Sequence, residues 1–206
     1  MRQCKTNDSI PIEGIILAAG LSSRAGNFKM ALTLGDKPLL KHTLDAFPEY
    51  CRKIVVVTGH RPNIIEDIVA LYPKVQIAHN LDFNLGMFSS IKEGVKYIES
   101  PYFFVVPGDY PFIKRQTFDL LWNVAKNSSD YSVFIPVFKE RKGHPILLNS
   151  SLISSLIFEP EDSTLRHFIR RQNTLLVPVD DEGILLDIDT PEDFALCLSK
   201  ISKSNE

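Results

Sequence analysis

The amino-acid sequence predicts an α/β fold: a three-layer α/β/α domain built on a mostly parallel sheet. Two observations carry this expectation. Near-continuous apolar runs rich in β-branched residues recur along the chain, and amphipathic stretches lie between them. A length of 206 residues, 44% hydrophobic, suits one domain with one sizeable core. Residues 1–206 are therefore expected to form a single domain, with its core at about 13–199 and short flexible tails before Ile10 and after Ser202.

The elements follow in order. GIILAAG at 14–20 reads as the opening strand, and PLLKHTLDAF at 38–47 reads as a helix. KIVVVTG (53–59), VQIAHN (75–80), YFFVVPGD (102–109) and YSVFIPVF (131–138) read as further strands. NIIEDIVALY (63–72), MFSSIKEGVKYIE (87–99) and RQTFDLLWNVAKN (115–127) supply the intervening helices. Such alternation is the pattern of right-handed βαβ units. RKGHPILLN, ending at Asn149, reads as a turn followed by a strand near a sheet edge, either antiparallel or parallel. A last strand is expected over Gly183–Ile188, feeding TPEDFALCLSK, where Thr190 can cap a helix with Pro191 at its first position.

Composition excludes several function classes. With 23 basic against 25 acidic residues and no long basic run, the chain has no electrostatic footprint for nucleic acid. No stretch approaches the roughly 20 apolar residues that cross a bilayer. The first nine residues lack the apolar core of a secretory signal, so a cytoplasmic location is expected. Cys4, Cys51 and Cys197 are odd in number and widely spaced, which argues against disulfides or a zinc site. Small-molecule chemistry remains.

In open α/β sheets ligands gather beyond the carboxyl ends of strands, so the segments after each strand matter most. LAAGLSSRAGNFK, from Leu17 to Lys29, follows the first strand with the small residues Ala18, Ala19 and Gly20. It then sets Arg24 and Lys29 five apart around Gly26. Small residues let backbone N–H groups approach phosphate oxygens, and fixed cations neutralise charge that builds in phosphoryl transfer. The segment is neither a Walker A loop nor a GxGxxG turn. Asp109, after an apolar strand and stiffened by Pro111, is either a turn former or a metal ligand. Asp187 and Asp189 are two apart and share a face if the strand continues through both, so either can oppose Asp109. Glu192 and Asp193 read as helix N-terminal charges.

Three further groups stand beside these. Gly86, Ser89 and Ser90 precede or open a helix, where they either cap it or hydrogen-bond a ligand, and Thr58 with Gly59 flanks the same strand ends. His144 titrates near neutrality in its ordinary state, but no acid or base role is assigned to it; it either shapes a pocket or packs its turn. Arg166, Arg170 and Arg171 form either a solvated helix face or a receptor for an anionic acceptor.

Together these segments resemble the MobA-like NTP transferases. LAAGLSSRAGNFK is similar to that family's LAAGxSxRxGxxK, and Thr58-Gly59, NLGMFSSIKEG at 84–94, PGDYP at 107–111, GHP at 143–145 and DIDTPEDF at 187–194 follow in the family's order. The resemblance implies a Rossmann-like nucleotide-diphospho-sugar transferase fold and a magnesium-dependent nucleotidyltransferase. It also implies that Arg24 and Lys29 contact the triphosphate and act in catalysis, and that Leu17, Ala18, Ala19 and Gly20 line the nucleotide pocket. Thr58, Gly59, Gly86, Ser89, Ser90 and Asp109 would contact the nucleotide as well. Asp109 and Asp189 are implied as ligands of Mg2+, with Asp187 as assistant. LAAG, GHP and DIDTPED are most similar to the molybdenum cofactor cytidylyltransferase branch, which implies CTP as donor and molybdopterin as phosphate-bearing acceptor. A molybdenum hydroxylase apoenzyme is the implied recipient of the product. A sugar or polyol phosphate acceptor, or a non-catalytic cofactor carrier, is the alternative. Ala25 and Tyr110 depart from the family's usual residues, which bears on the base and acceptor pockets.

Overall fold

A strand buried on both faces must be covered on both, and the chain supplies that cover with successive crossovers. The computed structural model describes residues 11–20 and 28–204, with side chains as far as Lys200. Residues 1–10, 21–27 and 205–206, and with them Arg24 and most of the two tails, lie outside the described residues.

Strand β1 (Ile12–Leu17) leads to a 3-10 turn at Lys29–Ala31 and a two-stranded hairpin, β2 (Thr33–Leu34) and β3 (Lys37–Pro38). Then come α1 (Leu39–Ala46), β4 (Cys51–Thr58), α2 (Pro62–Val69), β5 (Val75–His79), α3 (Met87–Val95) and β6 (Tyr102–Pro107). The second half holds α4 (Arg115–Ala125), β7 (Val133–Phe138), β8 (Arg141–Lys142), β9 (Ile146–Asn149), α5 (Ile153–Phe158), α6 (Leu165–Ile169), β10 (Thr174–Pro178) and α7 (Pro191–Ser204). The central sheet runs β10-β7-β9-β6-β1-β4-β5, with β8 paired to β7.

Period-two alternation sorts each strand between two cores. Ile12 and Ile16 of β1, Val56 of β4 and Phe104 of β6 join Leu40, Ile65 and Phe118 from α1, α2 and α4 on one face. Ile15 and Leu17, Val57 and Phe103 join Phe88, Leu156 and Phe168 from α3, α5 and α6 on the other. The three-layer, mostly parallel architecture is therefore present. Among the described residues no helix is long and apolar enough to cross a membrane.

Three local expectations are corrected. The strand after His144 is not at an edge: β9 lies between β6 and β7 and is antiparallel to both. The edge belongs instead to β10, parallel to β7, which periodicity did not reveal because TLLVP is short and ends in proline. Gly183–Ile188 is not a strand. Asp181 accepts the Gly183 N–H at 2.9 Å and starts a 3-10 turn over Glu182–Leu185. The apolar GILL sequence is drawn into packing without a ladder partner.

Asp181 is buried, and its other carboxylate oxygen accepts the Lys114 N–H at 2.8 Å and the Thr117 hydroxyl at 2.6 Å. It thereby ties the 181–188 segment to the start of α4. Asp181→Ala strands three donors, the Thr117 hydroxyl and Gly183 N–H fully buried and the Lys114 N–H partly so, and is expected to cost about 3 kcal/mol. Calorimetry should find the Tm lowered by roughly 6–12 °C; an unchanged Tm would remove this tie from the account.

Candidate active site

Three strand ends are locked side by side. Ala18 donates its N–H to Val57 O at 2.8 Å, and Gly108 donates to Leu17 O at 3.0 Å, so β1 leaves the sheet level with β4 and β6. Leu17, Ala18 and Ala19 are buried there, while Gly20 opens to solvent. Gly59 follows β4, and only a hydrogen fits: a Cβ would lie 2.6 Å from Phe83 Cβ and 3.0 Å from Ala19 Cβ. Thr58 is fully buried and its hydroxyl is within 3.0 Å of His79 Nδ1, which gives it a packing role within the sheet.

The chemistry converges on Lys29. Its Nζ lies 2.6 Å from Asp109 Oδ2 and 2.8 Å from Asp189 Oδ1, so one buried ammonium bridges carboxylates 80 and 160 residues away in sequence. Asp109 follows β6, and Ile188 donates its N–H to Asp109 O at 3.2 Å, which brings the 187–189 segment against it. Asp189 is more than half exposed, whereas Asp109 is largely covered. Burial alone would depress the Lys29 pKa; the charges and hydrogen bonds of Asp109 and Asp189 outweigh it and hold the ammonium above its ordinary value. Asp187 is pushed up by burial and, against a backbone hydrogen bond, by the like charges of Asp189 and Asp109.

Asp193 accepts from Thr190 N at 2.8 Å and Asp189 N at 3.1 Å, and the Thr190 hydroxyl receives the Asp193 N–H at 3.1 Å. This reciprocal cap fixes the DIDTPED turn, and Asp193 is the helix N-terminal charge its position suggested.

A second wall comes from the start of α3. Gly86 has φ +98°, a conformation that favours glycine, and is exposed. Ser89 donates to Gly86 O at 2.8 Å, and the Asn80 amide donates to Ser89 Oγ at 2.8 Å and to Ser90 Oγ at 3.0 Å. The serines are thus held by Asn80, a buried residue at the end of β5 that sequence reasoning did not single out. A polar residue closing an otherwise alternating strand was the available signal.

From Gly86 a cleft of about 1330 Å³ runs to β8 and α6. Tyr110, His144 and Asp187 line it together with Arg141, Lys142, Arg166 and Arg170. Tyr110 meets His144 edge-on at 5.0 Å. Arg171 is elsewhere, paired with Glu159 and stacked over Phe168.

Comparison with known proteins gives the family. Residues 14–175 match the model of the MobA-like NTP transferase domain. The chain belongs to that family. This transferase is 31% identical, over 89% of its length and 93% of the relative's, to the molybdenum cofactor cytidylyltransferase of Escherichia coli (strain K12). It is 27% identical, over 65% of each chain, to a probable molybdenum cofactor guanylyltransferase of Bacillus cereus (strain AH187). In structure it is similar to a nucleotidyl transferase from Methanothermobacter thermautotroptrophicus, with a TM-score of 0.77, 18% identity, and coverage of 94% of this chain and 99% of the other. The chain is a nucleotidyltransferase.

The residues fit a divalent metal of the magnesium type. Two carboxylates from separate segments converge on one cation position, and Asp109 Oδ1 is buried with no hydrogen-bond partner. Among the described residues there is no cluster of three acidic, histidine or cysteine side chains able to form an all-protein cage. Magnesium needs none, because it keeps waters and shares substrate phosphates. In this arrangement Lys29 Nζ sits where the two carboxylates would hold the metal. Lys29→Met should therefore bind Mn2+ about tenfold tighter than wild type in the absence of nucleotide, as read by electron paramagnetic resonance of free Mn2+. Equal affinities would show that the ammonium does not compete with metal.

His144 supplies a pH signature. Burial pushes its imidazole down to about 4, against a hydrogen bond to the Val105 backbone, and its Nδ1 has no partner. The unfolded chain takes up a proton as pH falls through about 6.5, while the folded chain resists until about 4. The neutral ring therefore contributes full stability above 6.5, and that contribution is lost on going down toward 4. Against wild type, His144→Gln should lose stability less steeply across this window in calorimetric scans, by at most about 3 kcal/mol in total. Parallel pH profiles would contradict the assignment.

Proposed function

We propose that this transferase moves CMP from CTP to the phosphate of molybdenum-bound molybdopterin, in the cytoplasm, and that a molybdenum hydroxylase apoenzyme receives the product. The observation that carries the reading is the Lys29 ammonium between Asp109 and Asp189 at the carboxyl ends of the strands. That is the charge pattern needed to hold a metal-bound triphosphate. Preference for cytidine draws on the LAAG motif and on the broader coverage of the Escherichia coli cytidylyltransferase than of the guanylyltransferase.

An oxygen of the acceptor phosphate attacks the α-phosphorus in line, the bond from that phosphorus to the bridging oxygen of the β-phosphate breaks, and pyrophosphate leaves. No proton transfer is required at the attacking oxygen. Mg2+ held by Asp109 and Asp189, with Asp187 beside them, would polarise the α-phosphate and offset its charge. Lys29, released from the carboxylates, follows the triphosphate with Arg24 and neutralises the departing pyrophosphate. The backbone from Leu17 to Gly20 borders the phosphates, and Gly86 with Ser89 borders the base, while Ser90 is buried behind them and held by Asn80. Thr58 and Gly59 support this pocket through packing.

Asp109→Ala should reduce pyrophosphate release with CTP, Mg2+ and molybdenum-loaded molybdopterin by at least about a hundredfold, with its circular dichroism unchanged. Near-normal turnover would sink the metal role. Substituting GTP for CTP should slow release in the wild-type protein; faster release with GTP would overturn the base assignment and leave the transferase reading intact.

A further inference from the structure

A typical small-ligand site occupies roughly 300–1,000 Å³. The cleft here is about 1330 Å³, so beyond the nucleotide portion at its Gly86 end there is room for an acceptor much larger than a short polyol phosphate. Its floor is apolar, with Ile135, Ile146 and Ile169 among the lining residues. Its far walls come from two separate elements. Strand β8 presents Arg141 and Lys142, and helix α6 presents Arg166 and Arg170.

None of these four cations forms an ion pair among the described residues, although Glu140, Glu161 and Asp162 line the same cleft. Carboxylates that leave neighbouring cations unpaired give the cleft little net field and put recognition into local contacts. The neighbouring Arg171 differs: it is taken up by Glu159 and Phe168. The hairpin that carries Arg141 and Lys142 turns through Lys139 (φ 46°) and Glu140 (φ 65°), two left-handed non-glycine residues. Two left-handed residues are what the favoured turn of a two-residue hairpin takes, and this turn sets the register that places Arg141 opposite Phe138.

From this we infer that the cleft between β8 and α6 is the acceptor subsite, built for a bulky ring-bearing phosphate with further anionic groups, which Arg141, Lys142, Arg166 and Arg170 hold over an apolar floor. This deepens the proposed reaction and rests on it. Small sugar and polyol phosphates would fill only part of the cleft and reach few of the four cations.

The test uses four forms of the whole protein: wild type, Arg141→Ala/Lys142→Ala, Arg166→Ala/Arg170→Ala, and Arg171→Ala as the control just beyond the end of α6. Pyrophosphate release is followed with CTP and Mg2+, using molybdenum-loaded molybdopterin or 2-C-methyl-D-erythritol 4-phosphate as acceptor. Each double variant should raise the KM for molybdopterin about tenfold or more, with the KM for CTP within about twofold of wild type. Arg171→Ala should leave both KM values unchanged, and the polyol phosphate should be the poorer acceptor for wild type. Unchanged molybdopterin KM in both double variants, or an Arg171→Ala effect equal to theirs, overturns the subsite. If wild type releases no pyrophosphate with molybdopterin, the proposed reaction falls. The subsite is then judged by fluorescence titration of molybdopterin into protein holding a non-hydrolysable CTP analogue: binding that is weakened in both double variants supports it, and no binding to wild type overturns it.

Discussion

One buried ammonium organises this site. Burial disfavours the charge on Lys29 and Asp109 with Asp189 more than restores it, while those carboxylates would repel each other without a cation between them. The arrangement depends on backbone ties made elsewhere. Gly108 to Leu17 aligns β6 with β1, and Ile188 to Asp109 draws the segment before α7 onto the same edge. Three stretches of sequence thus meet at one nitrogen atom. Asp109, Asp187 and Asp189 set against Lys29 leave two negative charges uncompensated locally, three minus one. A triphosphate adds more, so a catalytically competent complex needs cations from outside this group, which is the electrostatic case for a divalent metal and for Arg24.

The layers were legible because burial on both faces writes itself into consecutive residues. IVVV and FFVV are strand signals that need no partner to be read, and the helices between them carry their own periodicity. What sequence could not show is lateral order. Nothing local to ILLN says that β9 lies between β6 and β7, since that position is fixed by ladder bonds to residues more than forty positions away on one side. TLLVP and GILLDI look alike as short apolar runs. Only the first finds a ladder partner, and the second is turned aside when Asp181 claims the Gly183 N–H.

At the site, motif chemistry and structure agree where the side chain acts through charge, and part where it acts through packing. Lys29 and Asp109 are identifiable from residue type and position after strands, Asp189 only from the family resemblance because the strand expected before it is a 3-10 turn, and the three meet. Thr58 and Gly59 occupy similar positions yet are used by neighbouring side chains, one through a hydrogen bond near His79 and the other through contact with Phe83. Asn80 is the converse: unmarked by any motif, it fixes both serines at the start of α3. Arg166, Arg170 and Arg171 are indistinguishable in sequence, and helix geometry with Glu159 nearby separates the first two from the third.

The reversal of β9 between β6 and β7 explains how both proposed substrates would be served from one edge of the sheet. A parallel strand in the place of β9 would begin at the opposite edge, so the chain leaving β7 would have to cross the molecule before returning. Because β9 is antiparallel, Ile146 at its start pairs with Val105 near the end of β6. The whole connection from Phe138 to Pro145, including β8, Gly143 and His144, therefore stays at the edge where Asp109 lies. Strands β1, β4 and β5 run in the same direction as β6 and end at that edge, and the reversal adds a hairpin from the other side. Asp109, at the end of β6, stands at the seam between the two halves, so a metal-bound phosphate there would face the nucleotide-binding loops on one flank and the hairpin on the other.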